Sequence, residues 1–220
     1  MALMKKGAEA DLYLEPFERV LHGGGHGKVV VKQRIQKPYR VQEIDHLLRW
    51  SRTALESKLL SDAKKAGVPT PLIYEVDRAG SRIVMDYIDG VQVKKVLESS
   101  APAKRRKICR VIGRQVARLH SAGIVHGDLT TSNMILAKDG KIYFVDFGLG
   151  EYNRSTEARG VDLHLMRRAL QSIHFRITGE SYNAVLSGYR KDFGRGAEEV
   201  ISRAEEILRR GRYVQREERT

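Results

Sequence analysis

The sequence of 220 residues has a single cysteine, Cys109, so it can form neither an internal disulfide nor a cysteine zinc site. It also lacks any stretch close to the roughly 18 consecutive apolar residues that a membrane-spanning helix needs. Its first residues, MALMKKGAEADLYLEPF, do not contain the apolar core of a signal peptide. These absences exclude disulfide scaffolds and membrane spans, and we expect a cytoplasmic protein without membrane contact.

Acidic residues are scarce relative to basic ones. The chain has 27 Asp and Glu against 40 Lys and Arg, which gives a formal net charge of +13. Such an excess is typical of a protein with a polyanionic partner, or of a solvated surface rich in charge. The positions of the charges have to decide between these two interpretations.

The chain divides into a part with strand patterns and a part with helix patterns. The alternating, β-branched segment KVVVKQRI predicts a strand, and apolar residues at helical spacing predict a long helix over 42–66. Two more short strands, LIYEV and SRIVMDYI, run into a break at Asp89-Gly90. Helices predominate after that break, and the clearest of them covers 103–122.

The chemically informative stretch is 126–148. His126-Gly127-Asp128 is followed five residues later by Asn133, and Asp146-Phe147-Gly148 comes at the end of the apolar strand YFVDFG. Two carboxylates and an amide around a turn suit Mg²⁺, which takes oxygen ligands and keeps waters and phosphate oxygens as the remainder. Asn133 and Asp146 are therefore the candidate metal ligands. Asp128 would orient a hydroxyl or a water in line with a transferred phosphoryl group.

These motifs resemble those of the protein-kinase superfamily, H-x-D-x-x-x-x-N and D-F-G, at the expected mutual spacing. The resemblance implies an α+β, two-lobed, protein-kinase-like fold that binds ATP and Mg²⁺ between its lobes. The small β-rich N-lobe would cover residues 1–86, and a truncated helical C-lobe would cover 87–220.

The same resemblance implies a set of nucleotide-binding residues. A strand lysine should bind the α- and β-phosphates, and Lys32 is the candidate, with Lys28 as the competitor. A helix glutamate should hold that lysine, and Glu56 is the candidate, with Glu43 as the alternative. The linker IVMDYIDG would supply the gatekeeper residue and the backbone contacts to adenine, at Met85, Asp86 and Ile88.

The phosphate-binding loop departs from the kinase pattern. No G-x-G-x-x-G stands before the lysine strand at the usual distance, and the only candidate is the segment from Lys6 to Ala10. Its Gly7, Ala8 and Glu9 would bring adjacent backbone amides to a phosphate. A frayed N-terminus is the alternative interpretation.

Two further departures narrow the family. The catalytic loop reads HGDLTTSN, with Thr130 where protein kinases usually have lysine, and only residues 149–220 follow Gly148, without an Ala-Pro-Glu motif. The platform that holds a peptide substrate is therefore reduced. Asp162, which follows the shortened activation segment, either braces the catalytic loop, as a buried aspartate does in kinases, or stabilises a helix N-terminus.

Six segments together resemble the small atypical kinases of the KEOPS (EKC) complex, which are close to the RIO kinases: GAEA, VKQRIQKPYR, RTALES, GVPTP, HGDLTTSN and VDLHLMRRALQSIH. The resemblance covers nearly the whole chain. It implies an ATP-dependent serine/threonine kinase and ATPase that works with the tRNA threonylcarbamoyl-transferase subunit on adenosine 37 of tRNA. The phosphoryl acceptor stays open between water, a serine and a partner protein. The alternatives are a small-molecule phosphotransferase, like aminoglycoside or choline kinases, and an inactive RNA-binding scaffold.

The excess positive charge is concentrated on one predicted helix. The segment AKRRKICRVIGRQVAR, residues 103–118, has seven basic residues and no acidic one. We expect these side chains on the outer surface, where they would contact the phosphate backbone of tRNA, and a solvated helix is the alternative. The resemblance links a second basic cluster, in the C-terminal tail, to tRNA: Arg209, Arg210 and Arg212.

Overall fold

The computed structural model describes residues 2–19 and 25–217. The first part of the chain forms a five-stranded antiparallel sheet in the order β1-β2-β3-β5-β4, with one long helix. The elements are β1 (Ala2–Lys5), β2 (Ala10–Arg19), β3 (Gly25–Arg34), α1 (Gln42–Lys65), β4 (Ile73–Asp77) and β5 (Arg82–Asp86).

The central strand of this sheet is β3, in which side chains alternate between two faces. Val29 and Val31 are buried on one face with Val84. Because successive strand residues point to opposite faces, Lys32 and Arg34 share the other face. Strand β1 was not predicted, and its pairing with β2 shows that the N-terminal segment is part of the sheet.

Helix α1 begins and ends within one residue of the prediction, but its apolar stripe is only half buried. Leu59, Leu60 and Ala63 are buried in the core, whereas Ile44 and Leu47 are 55% and 63% exposed. The apolar contacts of this helix with the core therefore come from its second half, although Asp45 in its first turn is also buried. The buried Glu56 lies at the start of that half.

The remaining chain is mainly helical, with short strands around the catalytic loop. Strands β6, β8 and β9 form a three-stranded sheet, and β7 pairs with β10. The elements are β6 (Gly90–Gln92), α2 (Val93–Ser99), α3 (Pro102–Ser121), β7 (Ile124–Val125), a 3₁₀ turn (Thr131–Asn133), β8 (Met134–Ala137), β9 (Ile142–Phe144), β10 (Glu151–Tyr152), α4 (Thr156–Ile173), a 3₁₀ turn (Phe175–Ile177), α5 (Thr178–Phe193), a 3₁₀ turn (Gly194–Gly196) and α6 (Ala197–Glu217).

This architecture confirms the predicted α+β class, with an antiparallel sheet lobe followed by a helical lobe. The boundary between residues 86 and 87 stays a prediction, although β5 ends at Asp86 and the next strand, β6, pairs with β8 of the later part. In the described part of the chain, no helix has the length and apolar character that crossing a bilayer requires.

Helices α3 and α5 approach closely at two reciprocal glycines. A Cβ atom added to Gly113 would lie 1.9 Å from the carbonyl oxygen of Val185, and one added to Gly188 would lie 2.0 Å from that of Arg110. Both distances are far below van der Waals contact. The two helix backbones therefore touch, and any side chain at either glycine would force them apart.

We expect Gly113→Ala to destabilise the protein by about 1–3 kcal/mol or more, the usual cost of overpacking a well-packed interior. Gly179→Ala is the control, because that glycine lies on the partner helix α5 and has nothing within 4 Å of an added Cβ. Urea unfolding measures both. Equal free energies of unfolding for the two variants would contradict the close approach.

Candidate active site

The predicted strand lysine lies between two carboxylates. Nζ of Lys32 is 2.6 Å from Oε1 of Glu56 on α1 and 2.6 Å from Oδ1 of Asp146 after β9. The side chains of Lys32 and Glu56 are almost fully buried, whereas that of Asp146 is about half exposed. Three residues predicted from separate segments of the sequence thus meet at one point.

The electrostatics of this cluster keep its lysine and aspartate charged. Burial by itself would lower the pKa of Lys32, but the adjacent Glu56 and Asp146 carboxylates more than offset this and raise it above its usual value. Burial by itself would raise the pKa of Asp146, and Lys32 more than offsets this and lowers it. At neutral pH the site therefore holds an ammonium beside an ionised, partly open carboxylate.

The competing residues lie elsewhere. Lys28 is exposed on β3, where its carbonyl oxygen accepts a hydrogen bond from the Tyr87 amide, and Glu43 is exposed in the first turn of α1. Among the described residues, neither side chain forms an ion pair with the cluster. The geometry therefore favours Lys32 and Glu56 over both alternatives.

The catalytic loop places Asn133 against Asp128. Nδ2 of Asn133 donates to Oδ2 of Asp128 at 2.7 Å and to its carbonyl oxygen at 3.0 Å. This arrangement commits the amide nitrogen and leaves the Asn133 oxygen for another partner. Together with Asp146 it would give two protein oxygen ligands, which suits Mg²⁺ because this ion usually takes one or two protein ligands plus phosphate oxygens.

The described residues offer no cluster of three or more His, Cys, Asp or Glu arranged to hold a metal ion. The small donor set fits an ion that arrives with a nucleotide better than a structural metal.

A buried aspartate braces the catalytic loop. Oδ2 of Asp162 accepts a hydrogen bond from the His126 amide at 2.7 Å, and Oδ1 accepts one from the Gly127 amide at 2.9 Å. Asp162 lies inside α4, which begins at Thr156, so it is not an N-terminal helix charge. Of the two interpretations of Asp162, the structure supports the brace.

Two residues of the site have positive φ angles: Gly127 in the catalytic loop and Asp146 after β9. Gly127 has φ +77°, and a Cβ there would lie 2.1 Å from the carbonyl oxygen of Leu149. Asp146 has φ +64°, which is sparsely populated for a residue with a side chain. Phe147 beside it is buried against the ring of His126, with 4.5 Å between ring centroids. The residue that follows Asp146 is thus anchored in the core by packing.

The predicted phosphate loop forms one wall of a cleft beside the Lys32 cluster. Residues 6–9 connect β1 and β2, and Gly7, Ala8 and Glu9 line a cleft that they share with Lys32 and other site residues. A Cβ on Gly7 would lie 2.4 Å from the Ala10 carbonyl oxygen, so only glycine fits there. The structure therefore disfavours the frayed N-terminus. The Gly7 amide already donates to the Asp11 carboxylate at 3.3 Å.

The predicted linker forms the other end of the cleft. Met85 and Ile88 line it together with apolar side chains suited to a flat ring: Leu12, Val30, Ile135 and Val145. Asp86 also lines the cleft, although its carboxylate accepts hydrogen bonds from the Tyr74 phenol and the Leu72 amide of the neighbouring segment. The contacts of Asp86 and Ile88 with adenine stay a prediction.

The seven basic side chains of α3 reach the outer surface as expected, apart from Arg105, whose side chain is 11% exposed, but they do not form a surface free of acids. Two acidic residues of α5 form ion pairs with four of them: Arg105 and Arg106 share Glu180, and Arg114 and Arg118 share Asp192. The sequence segment is free of acids, but helix packing brings acids from about 75 residues further along the chain. The exposed α3 cations without an ion pair among the described residues are Lys104, Lys107 and Arg110.

The C-terminal cluster is only partly described. Arg209 and Arg210 are exposed on α6, and Arg210 lies 4.0 Å from Glu206. The predicted tail is helical as far as Glu217, and the side chain of Arg212 lies outside the described residues.

Sequence reasoning missed Arg34. Its guanidinium is buried, with Nη2 2.6 Å from Oε2 of Glu56, so Glu56 contacts two cations. The available indication was its position two residues after Lys32, because this spacing puts both side chains on one face of a strand.

Comparison with known proteins places these features in a family. Residues 28–158 match the model of the RIO domain. The chain is 48% identical over 220 residues to the KEOPS complex subunit Bud32 of Pyrococcus abyssi, covering 98% of each chain. It is 44% identical over 188 residues to a probable serine/threonine-protein kinase BUD32 homolog of Archaeoglobus fulgidus, covering 86% of this chain and 90% of that one.

A third relative is larger. The chain is 42% identical over 213 residues to a probable bifunctional tRNA threonylcarbamoyladenosine biosynthesis protein of Methanobrevibacter smithii, covering 96% of this chain but 37% of that protein. The RIO match includes Lys32, Glu56, Asp128, Asn133 and Asp146. With this match and near full-length similarity to a KEOPS subunit, the chain belongs to the RIO domain family as a RIO-like atypical kinase of the group that contains Bud32.

Proposed function

We propose that the chain binds ATP and Mg²⁺ between its sheet and its helical part and transfers the terminal phosphoryl group to a serine or threonine hydroxyl or to water. The observation that carries this proposal is that Lys32, Glu56 and Asp146 meet in one cluster. Its Lys32 and Glu56 side chains are buried and its Asp146 side chain is half exposed. The phosphate-loop candidate and Asp128 line the same cleft. Atypical kinase membership supports ATP-dependent chemistry.

Each residue of the cluster has a physical role in this proposal. Lys32 donates to the phosphates, and Glu56 orients Lys32. Asp128, held by Asn133, accepts the proton of the attacking hydroxyl or orients a water. Asn133 and Asp146 would hold Mg²⁺, which when bound neutralises charge on the phosphate oxygens. Catalysis then comes mainly from positioning and charge neutralisation.

At the level of the cell, we propose a subunit of the KEOPS complex that supports threonylcarbamoyl modification of adenosine 37 in tRNA, in the cytoplasm, together with the transferase subunit. The support is the 48% identical KEOPS subunit, which matches over 98% of its length. In the Methanobrevibacter protein a segment related to this chain forms slightly more than a third of one bifunctional tRNA-modification protein.

Two other functions have less support. A small-molecule phosphotransferase usually has a large insert in its helical lobe, but the described residues after Gly148 are used by β10 and α4 to α6. An inactive scaffold would have no need of the Lys32–Glu56–Asp146 cluster, in which two almost fully buried, charged side chains carry a desolvation cost.

Asp146→Ala should reduce Mg²⁺-dependent ATP turnover by at least about 100-fold, the scale of losing one electrostatic stabiliser of a transition state. Asp139→Ala is the matched control, because Asp139 is an exposed carboxylate in the β8–β9 turn. ATP hydrolysis is measured for the protein alone, with tRNA and with the transferase subunit, after thermal unfolding has shown that both variants fold. Full tRNA-modifying activity of a complex that contains Asp146→Ala, without ATP turnover by this subunit, would establish the scaffold function instead.

We further propose that tRNA contacts the unpaired cations of α3 and the basic C-terminal cluster. The triple variant Lys104→Gln, Lys107→Gln, Arg110→Gln should flatten the dependence of log affinity on log salt by about 2–3 units, since each lost phosphate contact removes about 0.7–0.9. Replacing Lys65, Arg78 and Arg82 of the sheet lobe by Gln gives the same change in net charge. Equal loss in both triples would mean that net charge, and not this surface, attracts tRNA.

The C-terminal cluster is tested by removing residues 209–220. The buried residues in the described part of α6 are Ala197, Val200, Ile201 and Ala204. They all precede the cut, so the helix keeps these packing contacts. We expect tRNA to lose its stimulation of ATP turnover. Unchanged stimulation would exclude this cluster from tRNA binding.

A further inference from the structure

Glu56 is shared between two buried cations. Its Oε1 accepts from Lys32 and its Oε2 accepts from Nη2 of Arg34, each at 2.6 Å. The Glu56 and Arg34 side chains are 1% and 4% exposed. Each carboxylate oxygen therefore has its own cation, and water contributes little to either contact.

Arg34 also borders the phosphate end of the cleft. It lines the same cavity as Lys32, Asp128 and Asp146. A Cβ added to Gly148 would lie 3.4 Å from Nη2 of Arg34 and 3.7 Å from Nζ of Lys32, so both cations lie beside this glycine. The second cation is thus part of the wall of the site and not of a remote surface network.

The buried Arg34 side chain is not well explained by its contribution to the free energy of unfolding. Nε of Arg34 is buried without a hydrogen-bond partner among the described residues. A buried donor without a partner lowers the free energy of unfolding, and replacing buried ions by apolar groups is often neutral or stabilising. A role in the chemistry of the site accounts better for this residue.

The donors of Lys32 suggest that role. An ammonium has three N–H groups, of which one donates to Glu56 and one to Asp146, and the third is left for a phosphate oxygen. If Arg34 were absent, Oε2 of Glu56 would be a buried acceptor without a partner. Lys32 would then be the nearest cation for both oxygens, in competition with Asp146 and the phosphates.

We propose that Arg34 is a positioning residue of the nucleotide site. By holding one oxygen of Glu56, it leaves Lys32 free to contact Asp146 and the phosphates of ATP. This inference rests on the proposed function, since it concerns how the same site binds its nucleotide.

The test compares Arg34→Met with Arg82→Met, which removes an arginine of the same sheet that pairs with Glu75 near the surface. We expect Arg34→Met to raise the KM for ATP about tenfold, as for the loss of one charge-assisted contact, while kcat changes much less. Arg34→Lys retains the charge and should recover part of the affinity. Arg82→Met should behave like the unmodified protein.

A double-mutant cycle separates positioning from direct nucleotide contact. If Arg34 acts through Glu56, then Arg34→Met should add nothing to the KM of Glu56→Gln. Additive penalties, or a loss of kcat without a change in KM, would overturn the proposal. If the unmodified protein and Arg82→Met fail to bind Mg²⁺–ATP, the proposed function itself is wrong.

Discussion

The active site depends on one buried ion pair, between Lys32 of β3 and Glu56 of α1. It joins the sheet to the helix, and through Lys32 it reaches Asp146, 114 residues further along the chain. Burying these charges has a desolvation cost that a hydrophobic pair would avoid. The cluster is therefore better explained by chemistry than by stability, because a phosphate needs a fixed cation that water does not screen.

Around this pair, unusual backbone conformations and the side chains that contact them position the catalytic residues. Asp146 has a positive φ and its carboxylate contacts Lys32, while Phe147 next to it is buried. Gly127 lets the catalytic loop pass close to Leu149, and Asp162 fixes the loop through two amide hydrogen bonds. These contacts come from α4 and from the segment after β9, so the helical lobe supplies the rigidity that positioning requires.

Packing between helices of the same lobe also changes how the positive charge of the chain is interpreted. A helix that is free of acids in sequence has two acidic neighbours in three dimensions, because the glycine contacts between α3 and α5 bring Glu180 and Asp192 to four of its arginines. The unpaired cations are fewer than the sequence indicates. A surface for a polyanion is therefore a smaller and more specific feature than the net charge of +13 suggests.

From the sequence alone, periodicity among neighbouring residues determined α1 and α3 to within a residue or two, and closely spaced motifs identified the candidates Asp128, Asn133 and Asp146. The α+β class and the candidates Lys32 and Glu56 followed from the kinase resemblance of those motifs. Strand β1, the half-exposed stripe of α1, the acid partners of α3 and the second cation on Glu56 were decided only by the tertiary structure. Each of these depends on which distant segment packs against the element: β2 for the strand, α5 for the basic helix, and α1 for Arg34. Such pairings depend on burial and on the contact between faces, and periodicity within one segment does not show them.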